Sequence, residues 1–300
     1  MDAVPLSVSG LLRAADVTFG YSDRPVVRNV SLDVADDGFV GIIGPNGSGK
    51  TTLLRLLAGT RSPERGSVTL DGVPLRTLPR ALVAQRMAVV PQETQLAFEY
   101  TVLEVVLMGR YPHLGPFALE GPDDIGVARE ALRATGTLDL ESRPFSTLSG
   151  GEKQRVIIAA ALAQISSTSV EAGFPGLSAV ESSRPFSRPD SRPDTRILLL
   201  DEPTAALDLK YQLEVASLLT SLHKTHDLAV VVSTHDLNFA AGLCQTLVML
   251  KEGRVLATGP VDEVLTPTRI RELYDVDAEV ARHPRSGHLR VTPLGRDEHR

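Results

Sequence analysis

The apolar residues of the chain fall into two kinds of pattern. Short unbroken runs at 39–43, 87–90, 197–200 and 228–232 have the length of strands, and the last two read as strands buried in a parallel sheet. Between them stand segments with helical spacing: 52–57, which Gly59 can end, and 124–135, stopped by Gly136. After Asp208, an expected N-cap, Leu209, Leu213, Ala216, Leu219 and Leu222 keep the spacing of one apolar stripe. Thr101-Val102-Leu103-Glu104 and Ser149-Gly150-Gly151-Glu152 both fit the capping-box pattern, so a helix is expected to begin at each. Residues 11–34 read as two strands joined by a turn at 22–25, and 66–73 as a hairpin turning at Asp71-Gly72. A further helix is expected at 267–274, before a polar, frayed tail. Strands alternating with helices predict an α/β core.

One stretch breaks the pattern. Residues 165–195 are serine-rich and repeat an Arg-Pro unit at Arg184, Arg188 and Arg192. Proline at that spacing excludes a helix or a sheet interior, so a disordered surface insertion is expected.

The run 39–43 leads straight into Gly44-Pro45-Asn46-Gly47-Ser48-Gly49-Lys50-Thr51, which fits the phosphate-loop pattern G-x-x-x-x-G-K-[ST] at every specified position. Glycines at 44, 47 and 49 let successive backbone N–H groups turn inward around phosphate oxygens, and the helix that follows adds the partial positive charge of its N-terminus. Lys50 would reach the β- and γ-phosphates, and the Thr51 hydroxyl would ligate Mg²⁺. In a parallel α/β sheet the ligand lies outside the carboxyl ends of the strands. Lys50, Gln92, Asp201 with Glu202, and His235 each follow an expected strand, so all can converge on one nucleotide. Phe19-Gly20-Tyr21 puts an aromatic at a strand end, where it serves either adenine stacking or ordinary strand packing.

Composition narrows the partners. The chain has 300 residues with 42% hydrophobic content, enough for one or two domains. A net charge of -6 and no Lys/Arg cluster argue against nucleic acid. No apolar run approaches the ~20 residues that span a bilayer, and the N-terminus lacks the pattern of a secretory signal. The single cysteine, Cys244, excludes disulfides within the chain, fits a cytosolic protein and is expected to be a buried structural thiol. His223 and His226 are expected on an exposed helix face without a metal role.

Leu148-Ser149-Gly150-Gly151-Glu152-Lys153-Gln154-Arg155 carries the signature of the nucleotide-binding subunits of ATP-binding-cassette transporters, and the chain resembles that family from Tyr21 to about Gly259, the insertion excepted. The resemblance implies an α/β phosphate-loop NTPase core with an antiparallel β subdomain and an inserted helical subdomain. The cassette would cover 11–260, its helical subdomain about 93–163, the insertion 165–195 and a C-terminal extension 261–300. It implies ATP and Mg²⁺ as cofactors. Tyr21 would stack on adenine; Gly44, Pro45, Asn46, Gly47, Ser48, Gly49, Lys50, Thr51 and Thr52 would surround the phosphates; Thr51, Gln92 and Asp201 would surround the metal. Glu202 would polarise the attacking water and His235 would contact the γ-phosphate. Ser149 and Gly151, with Gly150 between them, would act in trans on ATP held by a second copy, and Asp208 belongs to the same binding set, so a homodimer is implied. Two positions depart from the family habit: Ala205, where serine is frequent, and Ala160, where the signature helix often carries arginine.

A narrower resemblance lies in Val106-Leu107-Met108-Gly109-Arg110-Tyr111-Pro112-His113, which is similar to importers for iron-siderophores, haem and cobalamin. It implies a peripheral ATPase at the cytoplasmic face of the inner or plasma membrane. Its partners would be polytopic permease subunits and, indirectly, a solute-binding protein. An exporter subunit of the same fold is the alternative, as is a soluble cassette ATPase acting on ribosomes or DNA. The single cassette, and the lack of a coiled-coil or zinc insertion, count against the soluble type.

Overall fold

The computed structural model describes residues 10–22, 24–94, 96–167, 195–205 and 207–295. Strands β1 (Leu12–Tyr21), β2 (Arg24–Val34), β4 (Arg65–Leu70) and β5 (Val73–Pro74) form an antiparallel sheet in the order β2-β1-β4-β5. The strands β3 (Phe39–Ile43), β6 (Met87–Val90), β7 (Arg196–Asp201), β8 (Leu228–Thr234) and β9 (Thr246–Lys251) run parallel. With the antiparallel edge strand β10 (Arg254–Pro260) they make a second sheet, ordered β10-β9-β3-β8-β7-β6. Every residue of β3 and β8 is buried, as central strands covered on both faces require.

Side chains alternate across a strand, so this sheet feeds two cores. Phe39, Ile43, Leu198, Leu200, Val230 and Val232 enter one, with the helices described below. Val40, Ile42, Ile197, Leu199, Ala229 and Val231 enter the other, shared with the antiparallel sheet and with α1 (Lys50–Leu57). Past α2 (Arg80–Arg86), the helical subdomain comprises α3 (Val102–Leu107), a 3-10 turn over Met108–His113, α4 (Pro122–Ala134) and α5 (Gly150–Ile165). Both expected capping boxes are present, at Thr101 and at Ser149. Arg110 in the 3-10 turn is fully buried, and its guanidinium donates at 2.6 Å to the carbonyls of Ala163 and Ser166 and at 3.0 Å to Asp124. It thereby satisfies carbonyls left open where α5 ends.

Several expectations need correction. Helix α6 (Leu209–Thr225) follows Asp208, but the Asp208 side chain makes no cap bond. Its cover begins at Val215; Leu219 and Leu222 are buried while Leu209 and Leu213 are 71% and 61% exposed, because the first turns overhang the core. His223 is not on an exposed face: its ring packs 5.3 Å from that of Phe39 and its Nδ1–H donates to the Leu228 carbonyl at 2.8 Å. Ile165 closes α5 and Thr195 is buried, so neither belongs to a surface insertion; residues 168–194 lie outside the described residues, as does the tail at 296–300.

After α7 (Leu237–Leu243), Cys244 is buried, and burial pushes its thiol pKa up. The chain then forms α8 (Val261–Val264) and α9 (Pro267–Tyr274), the latter with the expected bounds. It continues as a hairpin that the spacing did not reveal, β11 (Asp277–Arg282) with β12 (Leu289–Gly295). Among the described residues no helix is long and apolar enough to cross a membrane.

Candidate nucleotide site

Strand β3 delivers the chain into the phosphate loop, and the loop's shape explains its glycines. A Cβ on Gly44 would sit 2.2 Å from the Leu250 carbonyl oxygen, and Gly49 holds φ 106, where a Cβ would come within 2.9 Å of the Val26 carbonyl oxygen. No side chain caps the first turn of α1, so its N–H groups face the loop unblocked, as an anion site needs. The Ser48 hydroxyl is buried without a hydrogen-bond partner, a polar group suited to a phosphate oxygen. Lys50 is buried, and its Nζ donates to the carbonyls of Gly44 at 2.9 Å and Pro45 at 3.2 Å.

Strands β7 and β8 supply the other wall. The Ser233 hydroxyl donates to Asp201 Oδ1 at 2.5 Å, tying together the ends of the two strands. Glu202 then leaves β7 at φ 47, a left-handed conformation that costs energy for a residue with a side chain. Its N–H donates to the Ser233 carbonyl at 3.0 Å, which offsets part of that cost. The turn aims the Glu202 carboxylate into the site: Oε1 lies 3.4 Å from Lys50 Nζ and Oε2 lies 3.1 Å from His235 Nδ1. A carboxylate only accepts, so His235 carries a proton on Nδ1.

These groups line one cavity of about 710 Å³. It collects Asn46, Gly47, Gly49, Lys50, Thr51, Thr52, Gln92, Glu202 and His235, all expected from the sequence. Val26, Thr204, Gln212 and Asp236 join them without having been singled out, and Ala205, noted only as a departure from the family habit, lines the cavity too. Asp236 and Thr204 each adjoin a motif residue, and that adjacency was a usable signal; Val26 and Gln212 arrive only through folding. Asp201 stays buried behind the wall, beside Ser233. Tyr21 is 41% exposed and its hydroxyl lies beside Thr52 and Arg55 of α1. Burial raises its pKa, but those two side chains and the nearby Arg61 charge outweigh burial and leave it lowered.

Ser149, Gly150, Gly151 and Asp208 do not line this cavity. Ser149 caps α5 reciprocally with Glu152, whose Oε2 accepts from the Ser149 N–H and hydroxyl at 2.8 Å each. Those two bonds hold the Glu152 carboxyl below the usual range. A Cβ on Gly151 would strike the Tyr211 ring at 2.3 Å, and one on Gly150 would touch Leu207 at 3.4 Å. The signature and the start of α6 therefore make one continuous surface.

The ABC transporter family model matches residues 27–168. The hemin import ATP-binding protein HmuV of Gloeobacter violaceus is 42% identical over 286 residues, covering 95% of this chain and 94% of the relative. The chain belongs to the ABC transporter family. The cassette is also 37% identical over 269 residues to the cobalamin import ATP-binding protein BtuD of Halobacterium salinarum, covering 90% of this chain but 60% of that relative's length. Among solved structures it superposes on an inward-facing metal-chelate type ABC transporter with a TM-score of 0.76 at 28% identity, covering 96% of this chain and 98% of that one. As an ABC cassette it binds and hydrolyses ATP, and the observed sheets and helical region are those of that fold.

Proposed function

We propose that this cassette is the ATPase subunit of an importer for a metal chelate of the iron-siderophore, haem or cobalamin class. It works as a homodimer on polytopic permease subunits at the cytoplasmic face of the membrane, downstream of a solute-binding protein. One observation carries the reading: Lys50, Glu202 and His235 touch in sequence inside one cavity while the signature residues face elsewhere. The cargo class rests on the hemin and cobalamin relatives. The helical subdomain also exposes Tyr111, Phe117 and Leu119, apolar area that suits contact with a membrane subunit.

In this reading the phosphate loop and Lys50 hold the β- and γ-phosphates, Glu202 accepts the proton of the attacking water and His235 contacts the γ-phosphate. Thr51 and Gln92 on the cavity wall, and Asp201 buried behind it, would offer a hydroxyl, an amide and a carboxylate, hard oxygen donors of the kind Mg²⁺ takes alongside phosphate oxygens. Bound there, Mg²⁺ neutralises charge on the β- and γ-phosphate oxygens. Tagged protein drawn from solubilised membranes should bring a polytopic membrane protein with it. In proteoliposomes, ATPase activity should rise when a chelate-loaded binding protein is added on the side opposite ATP. Stimulation by a solute on the same side as ATP would favour the exporter, and capture of ribosomes alone would overturn the transporter reading.

A further inference from the structure

The C-terminal extension comes close to the elements that carry the nucleotide site at two places that its sequence does not announce. Helix α9 packs Ile270 and Leu273 into the same core as Ile43 and Met249, and Lys251 at the end of β9 donates to the Glu272 carbonyl. Tyr274 follows, with its hydroxyl buried and completing no hydrogen bond. Its phenol is pushed up by burial, and the Glu202 and Asp236 carboxylates push in the same direction against the Gly44 backbone, so it stays a protonated donor at the back of the site.

The second contact reaches Asn238, three residues after His235. Asp236 caps α7, its Oδ1 accepting from the N–H groups of Asn238 at 2.8 Å and Phe239 at 3.0 Å, while its own N–H donates to Thr234 Oγ1 at 3.0 Å. That local bonding fixes the shape of the turn, and Ala240 and Ala241 bury one side of α7 in the core. Asn238 adds a tie from the first turn of α7 to the hairpin. Its Nδ2 donates to the Val291 carbonyl at 3.2 Å and its Oδ1 accepts from the Val291 N–H at 2.8 Å. One side-chain amide thus satisfies both backbone groups of a residue on β12, and Val291 is itself buried in the core.

We propose that Asn238 is a positioning residue for ATP hydrolysis: its paired hydrogen bonds to Val291 make the C-terminal hairpin a brace that holds α7, and with it His235, at the γ-phosphate. The inference rests on the role given above to His235. The brace matters because catalytic groups tolerate only about 0.5 Å of displacement, and a misplacement of roughly 1 Å costs on the order of a hundredfold. His235 is 57% exposed at its side chain, so packing alone does not hold it. Glu202 bonds the ring itself; the brace holds the backbone that carries the ring.

The test uses the full-length chain and three variants, with ATP turnover, ADP affinity and the histidine ring resonances measured for each. Asn238→Leu removes both bonds at similar size. It should lower kcat about tenfold with KM for ATP and ADP affinity within about twofold, and it should move the His235 resonance while leaving that of His223 in place. Asn238→Asp keeps the acceptor for the Val291 N–H but loses the donor to the Val291 carbonyl, so it should show an intermediate loss. A folded Asn238→Leu that turns over ATP within twofold of the parent, or leaves the His235 resonance unmoved, overturns the brace. His235→Ala separates the two ideas. If it abolishes turnover while Asn238→Leu does not, this inference alone fails; if it turns over ATP at the parent rate, the role of His235 fails and the brace with it.

Discussion

Three acceptors surround the Lys50 ammonium. An ammonium has three donors, and the Gly44 carbonyl, the Pro45 carbonyl and the Glu202 carboxylate all lie within reach of it. In the proposed function the phosphate oxygens would compete with these acceptors for Lys50 and leave the Glu202 carboxylate free to act on water. Removing the ammonium forfeits a charge-assisted contact of ~1.5–3 kcal/mol, so Lys50→Ala should weaken ATP binding by roughly tenfold to a hundredfold in a calorimetric titration and leave no turnover. Unchanged affinity would mean the phosphates bind elsewhere. Glu202→Gln keeps the shape but removes the anion that competes for Lys50. Turnover should fall by ~10²–10⁴-fold while ATP affinity holds or rises, and hydrolysis at the parent rate would show that Glu202 is not the base. Lys50 was legible in the sequence because the phosphate loop demands fixed types at fixed spacing, and Glu202 because it follows an expected strand and matches the family resemblance. The left-handed turn at Glu202 was not, because it depends on Ser233 of a strand thirty-one positions away.

At the scale of elements, legibility follows burial. The two central strands are buried throughout and read as unbroken apolar runs, whereas the β11–β12 hairpin is mostly exposed, carries Pro293 and so leaves no periodic signal. Leu209 and Leu213 have helical spacing but no cover, a fact of placement that spacing does not contain. The joint between the Met108–His113 turn and α5 gives a pH test. The His113 Nε2–H donates to the Gln164 carbonyl at 2.7 Å, and its pKa is lowered, chiefly by burial. Below the unfolded value of 6.5 the unfolded chain binds the proton more readily, so stability falls as pH drops through that value towards the lower folded one. His113→Gln should flatten the loss between pH 7 and 5.5 in urea titrations; equal slopes in parent and variant would exclude His113 as the cause. The ends of the 168–194 segment meet where Arg196 donates to Ser167 at 2.9 Å, at the amino end of β7 and so on the side away from the nucleotide. Replacing the segment with a short polar loop should leave basal ATPase within about threefold, since loop length itself costs little. Loss of activity in a folded deletion would reveal a role for it.

At the scale of the whole molecule the site is half built. One chain offers phosphates a loop, a lysine, a base and a histidine, yet its own signature lies on a different surface, joined through Gly150, Gly151, Leu207 and Tyr211 to the start of α6. In the proposed homodimer two copies related by a two-fold axis would complete each other, each laying Ser149 and Gly151 over the nucleotide of its partner in a self-complementary interface. Asp208 and the exposed Leu209 and Leu213 would add their area to the same face. A pairing held together by bound ATP would end with its hydrolysis and so would accumulate only when hydrolysis is slow. Glu202→Gln with ATP and Mg²⁺ should therefore run as a dimer in light scattering, whereas the parent should dimerise only transiently. Ser149→Arg puts a bulky cation where the cross-contact must form, and in the Glu202→Gln background it should leave a monomer that still binds ATP, since Ser149 is outside the chain's own cavity. Loss of ATP binding in that double variant would place Ser149 in its own chain's site, and a surviving dimer would show that the signature is not the trans contact.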